Sequence, residues 1–275
     1  MVKHICACLV TLLTLLGAAE AASDKPFIVL ASTTSTDNSG LFAYLLPMFT
    51  AESGIQVRVV ARGTGQAIRM AESGDADVLL VHHRTSEERF VAQGHGVARH
   101  DVMYNDFVIL GPSDDPAAIA GRADATAALT RIAETGSTFL SRGDDSGTHK
   151  KELELWRAAG IDPSQASGQW YRETGAGMGA TLNTASALDA YLLSDRATWL
   201  AFRNKGRLSV LAEGDPSLRN PYGVILVNPA RHPHVKADHG QAFIDWLVGE
   251  SGQGAIGAFR IDGRQAFFPN AAPGS

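Results

Sequence analysis

Short apolar runs alternate with stretches of helical period along the chain. Phe27-Ile28-Val29-Leu30 is an apolar run of the length that buries as a strand. Leu41, Tyr44, Leu45, Met48 and Phe49 recur at helical spacing, which predicts a helix over Ser39 to Glu52, ended by Gly54. Gln56 to Ala61 alternates as a strand, and Gly63-Thr64-Gly65 opens a helix through Met70. Asp77 to Val81 reads as a strand and Ser86 to Gln93 as a helix. Thr138 to Ser141 reads as a strand that leads into a helix over Ser146 to Ala159, and residues 113–127 as a surface loop with a helical turn. Strands alternating with helices imply parallel pairing, with helices on both faces of the sheet.

Two segments resemble each other. Asn105-Asp106-Phe107-Val108-Ile109-Leu110-Gly111-Pro112 parallels Asn220 to Pro229, and each is an apolar strand with a proline at its end. They bracket a stretch with its own strand–helix alternation. The arrangement fits two lobes, the second inserted into the first and joined to it by two crossover strands. The expected division is residues 23–106 and 222–275 for lobe 1 and 107–221 for lobe 2. Two ordinary core strands of a single sheet would carry the same pattern.

The chain has 275 residues, 19% of them charged, with a formal net charge of −5. That is length enough for a sizeable core without staples. No Lys/Arg run or aromatic-interleaved basic stripe is present, which argues against nucleic acid as a partner. Residues 1–22 read as a signal peptide: Lys3 and His4, an apolar run from Ile5 to Leu16, then small residues with cleavage expected near Ala22. The run is shorter than the roughly 20 residues a bilayer span needs. Both cysteines, Cys6 and Cys8, lie inside that segment, so the mature chain is expected to be free of disulfides and thiols, and periplasmic.

Three loops carry candidate chemistry. In Ser32-Thr33-Thr34-Ser35-Thr36, five consecutive hydroxyl residues join a strand to a helix. Each hydroxyl and each backbone N–H is a donor, and a helix start adds unpaired N–H groups and a positive dipole end. Plain N-capping needs only one such residue, so the run exceeds that use. Arg62-Gly63-Thr64-Gly65 again joins strand to helix, with glycines that let backbone approach a ligand, although strand–Gly–helix turns are common without any ligand. Ser141-Arg142-Gly143-Asp144-Asp145-Ser146-Gly147-Thr148 is the most specific of the three. Arg142 offers a planar fork of donors for an oxyanion. Asp144 and Asp145 are placed to hold its other face, and Ser146, Gly147 and Thr148 open the next helix.

These groups are all donors, which suits a fully ionised, doubly charged anion. A protonated anion also needs an acceptor, typically a carboxylate. Where such a carboxylate would sit, the strand Asp77 to Val81 is followed by His82-His83, and a neutral imidazole or a backbone N–H there donates instead. That disfavours monohydrogen phosphate.

These loops, with Val102-Met103-Tyr104-Asn105-Asp106-Phe107 and Gly175-Ala176-Gly177-Met178-Gly179-Ala180-Thr181-Leu182, resemble the tungstate-binding TupA-like proteins of ABC importers over nearly the whole mature chain. That family usually begins its first loop with three threonines and a serine; here Ser32 replaces the first threonine and keeps a hydroxyl. The spacing of Arg142 and Ser146-Gly147-Thr148 is also shared with the more distant phosphate-binding proteins. The resemblance implies an α/β, two-lobe type II periplasmic-binding-protein fold, each lobe a mainly parallel sheet with flanking helices. It implies an oxyanion held between the lobes by Thr33, Thr34, Ser35 and Thr64 on one side and Arg142, Ser146, Gly147 and Thr148 on the other. The partners it implies are that small oxyanion and a membrane permease; the protein is expected to be a monomer without cofactor, metal or catalytic residues. Tungstate is the first choice of ligand; molybdate, phosphate and sulfate are the alternatives within the same fold.

Two readings of other classes compete. Asp144-Asp145-Ser146-Gly147 is similar to the serine-nucleophile neighbourhood of some hydrolases, but those are all-β. His232, His234 and His239, with His82, His83, His95 and His100, are potential metal ligands whose spacing matches no strong zinc pattern. Arg142-Gly143-Asp144 also spells a cell-adhesion tripeptide, which a loop that binds anions explains better.

Overall fold

The computed structural model describes residues 25–271, so the expected signal peptide, with Cys6 and Cys8, lies outside the described residues. The chain runs β1 (Phe27–Thr33), α1 (Thr34–Asn38), α2 (Leu41–Ser53), β2 (Gln56–Arg62), α3 (Thr64–Glu72), β3 (Val78–Val81), α4 (Arg84–Ala92) and then the long strand β4 (Gly96–Pro112). It continues as α5 (Ala125–Thr135), β5 (Phe139–Ser141), α6 (Gly147–Ala158), β6 (Tyr171–Glu173), α7 (Met178–Leu188), β7 (Tyr191–Asp195), α8 (Arg196–Ala201) and β8 (Leu208–Ala212). The return is β9 (Arg219–Val227), α9 (Ala237–Val248) and α10 (Glu250–Ala258), closed by three two-residue strands, β10 (Arg260–Ile261), β11 (Arg264–Gln265) and β12 (Phe268–Pro269).

The strands form two lobes that share β4. The first has the order β2-β1-β3-β9-β4, with β1 parallel to β2 and β3, and β9 antiparallel to β3 and β4. The second continues β4-β7-β5-β6, with β5 parallel to β6 and β7. Residues Gly96 to Asp106 of β4 pair with β9, whereas Phe107 to Pro112 pair with β7 and β8. The two segments alike in sequence are therefore neighbours, and Asn105 lies opposite Asn220.

Apolar packing explains why these residues fold this way. Ile28, Leu30, Val78, Leu80 and Val224 bury one face of the first sheet against Leu41, Leu45 and Phe49 of α2 and Phe243 of α9. Ala31, Leu79, Val81 and Ile225 bury the other face against α3 and α4. In the second lobe, Phe107, Ile109, Phe139 and Leu193 pack under Trp156 of α6, and Val108, Leu110 and Leu192 under Leu182 of α7. A strand buried on both faces needs a continuous apolar run, which Val78–Val81 has. Ala197 and Leu200 of α8 pack into the first lobe's core although α8 follows β7, so this helix straddles the junction.

The first helix differs from its expected form. The hydroxyl run does not precede a helix at Ser39; Thr34, Ser35 and Thr36 lie within α1, and Gly40 at φ +81° breaks the chain before α2 begins at Leu41. Only glycine takes that left-handed conformation at no steric cost. Helix α5 begins at Ala125, within the last residues of the segment expected to be a loop with a helical turn, and runs on to Thr135; Asp124 caps it by accepting from Ala127 N.

Candidate functional site between the lobes

Parallel strands deliver their carboxyl ends to one edge of a sheet, and ligands of α/β proteins gather there. In the first lobe that edge holds Thr33 after β1, Thr64 after β2 and His82 after β3; in the second it holds Arg142 after β5 and Asp195 at the end of β7.

The first lobe contributes neutral groups. Thr33 Oγ1 lies 2.7 Å from Thr36 Oγ1 and 3.2 Å from Ser35 Oγ, and it caps α1. Ser35 Oγ lies 3.3 Å from His82 Nε2. Ser32 is used differently: its hydroxyl donates to Leu80 O at 2.6 Å, tying β1 to β3. Thr34 is half-buried at the first position of α1. Thr64 is fully buried at the start of α3, and its Oγ1 has no hydrogen-bond partner. Burial, reinforced by the positive charge of Arg142, lowers the His82 pKa to about 4, so its ring is neutral at pH 7.

The second lobe contributes the charge. Arg142 is 3% exposed; its Nη2 donates to Asp144 Oδ2 at 2.5 Å, while its Nε is buried without a partner. Asp144 thus holds the arginine as expected. Asp145 does not: it takes φ +57° and turns towards Lys150 of its own helix and Arg69 of the first lobe, the latter at 3.8 Å. Ser146 caps α6 by accepting from His149 N at 3.2 Å, and its own N–H donates to Asp144 Oδ1. Thr148 is fully buried and its Oγ1 is unpaired.

The two sets meet. A Cβ at Gly147 would come 2.7 Å from His82 Cε1 and 3.0 Å from Thr64 Oγ1, so the start of α6 sits directly against two first-lobe residues. A Cβ at Gly63 would lie 3.6 Å from Asp144 O. His83 Nε2 reaches Glu154 Oε1 of α6 at 3.1 Å, and this hydrogen bond holds the Glu154 carboxyl below its ordinary pKa. Only a residue without a side chain permits this approach at position 147. Beside His82 and Gly147 opens a cavity of about 250 Å³, lined also by Arg84, Lys151, Arg219 and Asn220. It borders the cluster on the His82 side and does not reach Arg142.

Buried polar atoms are nearly always paired. Here Thr64 Oγ1 and Thr148 Oγ1, in the first turns of α3 and α6, and Arg142 Nε, just after β5, are not. Nor are Asp195 Oδ2 and Thr198 Oγ1 at the start of α8, where burial raises the Asp195 pKa. Asn105, Asn220, Asp195 and Thr198 were not among the residues the three loops singled out. The matching asparagines of the two similar strands were the available signal for the first pair.

The histidines named as potential metal ligands lie elsewhere or are committed. His232 Nε2 and His234 Nε2 bond the backbone oxygens of Glu72 and Gly74. Among the described residues no group of three or more His, Cys, Asp or Glu is placed to hold a metal ion.

Two lobes joined by the shared strand β4 and the returning strand β9, with polar loops facing each other across the junction, define a two-lobed fold of the type II periplasmic-binding-protein class. A family profile described as a PBP superfamily domain matches residues 17–251. The tungstate-binding protein TupA of Peptoclostridium acidaminophilum is 46% identical over 93% of this chain and 90% of its own length. A solved structure of TupA from Desulfovibrio alaskensis G20 superposes with a TM-score of 0.78 at 44% identity, covering 90% of this chain and all of that one. The tungstate ABC transporter structure from Geobacter sulfurreducens gives the same TM-score at 49% identity over 85% of this chain and 98% of its own. This chain belongs to the TupA family of the PBP superfamily.

Proposed function

We propose that this protein is exported and binds tungstate between its lobes, delivering it to the membrane permease of an ABC importer. One observation carries the reading: unpaired, fully buried donors come from both lobes, Thr64 Oγ1 from one and Arg142 Nε and Thr148 Oγ1 from the other. An acceptor-only dianion satisfies all of them at once, and charge-assisted hydrogen bonds contribute roughly 1.5–3 kcal/mol each. Thr33, Thr34, Ser35, Ser146 and Gly147 complete the proposed contact set. The proposed lobes are 23–106 with 222–275, and 107–221, moving about the crossover at Asp106–Phe107.

A neutral His82 at the place where a protonated anion would need a carboxylate supports a fully deprotonated anion over monohydrogen phosphate. The match to the TupA proteins supports tungstate within that class. Binding without chemistry is the consistent role: the Ser146 hydroxyl caps a helix, accepting from the backbone N–H of His149 at 3.2 Å. All the proposed contacts come from one chain, which supports action as a monomer.

Calorimetric titration with tungstate, molybdate, sulfate and phosphate tests the proposal. Tungstate is expected to bind tightest and to raise the melting temperature by mass action. An equal response to phosphate would defeat the assignment to an anion that carries no proton, and silence towards all four would defeat transport of oxyanions altogether.

A further inference from the structure

His82 ends a run of side-chain hydrogen bonds that crosses from one hinge strand to the other. Its Nδ1 lies 3.0 Å from Asn220 Oδ1, and Asn220 Nδ2 lies 2.7 Å from Asn105 Oδ1. Its Nε2 lies 3.3 Å from Ser35 Oγ. Asn105, Asn220, His82 and Ser35 are all buried, and the imidazole stacks on Tyr222 with ring centroids 4.9 Å apart. Because these side chains are buried, the direction in which the run donates is set mainly by its members and by the Tyr222 hydroxyl, 3.5 Å from Asn220 Nδ2.

One direction leaves a defect. With Asn220 donating to Asn105, Asn105 Nδ2 is buried and has no partner. Asn220 then shows its oxygen to His82, whose single proton must sit on Nδ1. Nε2 keeps only a lone pair, which takes the proton of Ser35. The hydroxyl turns its own lone pair outward, the wrong sign for an anion.

The other direction follows from a half-turn of both carboxamides about Cβ–Cγ, which exchanges oxygen and nitrogen without changing shape. Asn105 donates to Asn220, Asn220 donates to His82 Nδ1, and His82 carries its proton on Nε2 and donates it to Ser35. The Asn105 oxygen takes the place of the unpaired nitrogen, in a cluster that also holds the Tyr222 hydroxyl, 3.5 Å from the Asn220 carboxamide. The buried donor without an acceptor is gone, and the Ser35 proton is released from His82. The neutrality that burial imposes on His82 is what makes the position of its one proton matter.

We infer that Asn105, Asn220 and His82 form a positioning relay for oxyanion selectivity, holding the imidazole proton on Nε2 so that Ser35 offers its own proton to an anion that carries none. The inference rests on the oxyanion reading above and adds the element that rejects protonated ligands.

The test uses full-length mature protein carrying ¹⁵N-labelled histidine, with and without sodium tungstate. Long-range ¹H–¹⁵N spectra separate the two tautomers; His82 is expected as Nε2–H in the tungstate complex, and an Nδ1–H there overturns the relay. Asn105→Asp supplies only acceptors at that position. It turns the Asn220 nitrogen towards residue 105 and its oxygen towards His82, and so drives the proton to Nδ1. Tungstate affinity should fall about tenfold or more, the scale of one charge-assisted hydrogen bond, while hydrogen phosphate, which brings a proton for the Ser35 lone pair, loses less. The tungstate-to-phosphate preference therefore drops, with a change of tautomer. Equal losses for both anions mean that the added charge alone acts, and overturn the relay. If Asn105→Asp does not fold, the wild-type spectrum decides by itself. Failure of the wild type to bind any oxyanion would defeat the transport proposal, whereas the tautomer still reports on the relay separately.

Discussion

The two sides of the junction are built differently. The first lobe presents hydroxyls and a neutral imidazole, linked to one another at 2.7–3.3 Å, and no charged side chain among those that meet Gly147. The second presents a 3%-exposed guanidinium, held on one face by Asp144 and supported by the first turn of α6. A neutral donor discriminates by direction and by whether it finds an acceptor; a buried charge attracts any anion. If the proposed site holds the anion, the difference puts affinity mainly in the second lobe and selectivity mainly in the first.

The largest effect should come from removing the charge. Arg142→Ala is expected to weaken tungstate binding by about 3 kcal/mol, the scale of a broken buried charge pair. A loss under threefold in a calorimetric titration would place the charge elsewhere. Gly147→Ala attacks the meeting point rather than either side. Its Cβ would fall 2.7 Å from His82 Cε1, and overpacking of that kind costs roughly 1–3 kcal/mol. It should weaken binding while leaving the melting temperature of the ligand-free, open protein nearly unchanged; an equal loss in both would mean that the lobes do not separate.

The neutral side should carry a pH signature. His82 has a folded pKa of about 4 against 6.5 unfolded, so its contribution to stability is complete above pH 6.5 and is lost as pH falls towards and through 4. By pH 5 the loss is on the order of 2 kcal/mol. Chemical denaturation of wild type and His82→Gln at pH 7 and pH 5 measures it, and equal pH dependence in the two proteins would contradict a buried neutral ring.

Smaller effects separate ligand donors from structural ones. Thr64→Val and Thr148→Val each remove a buried hydroxyl that has no partner. Affinity should fall by about 1.5 kcal/mol per hydroxyl, the low end for a hydrogen bond to a charged ligand, while the ligand-free protein holds or gains stability, since no internal hydrogen bond is lost. Destabilisation of the ligand-free protein by more than that would show an internal partner for the hydroxyl. The smallest change is expected from Arg69→Ala. The Arg69–Asp145 pair spans 3.8 Å between side chains that are each more than half exposed, so it is worth less than about 1 kcal/mol and fades with salt.

Much of this was legible in the chain. Apolar runs, alternation and turn residues located β1, β2, β3, α3 and α6 to within a few residues; the signal is plainest at β3, whose four residues are all buried. The break between α1 and α2 was not legible. Gly40 punctuates it, but Leu41 to Phe49 continues the helical period straight after, so apolar spacing alone blurs where the helix begins. Asp145 was assigned to Arg142 on proximity in sequence; a left-handed turn at Asp145 sends its side chain the other way, and spacing carries no information on φ.

The chain by itself determined the elements, the donor-only chemistry of three loops and the two matched strands, since those depend on local apolar pattern and on residue type. Only the tertiary structure decided which donors stay unpaired, that Gly147 closes on His82 and Thr64, and that Asn105 faces Asn220 across the hinge. Those are contacts between residues distant in sequence. They depend on strand register and on the packing of one lobe against the other, quantities that no local pattern specifies.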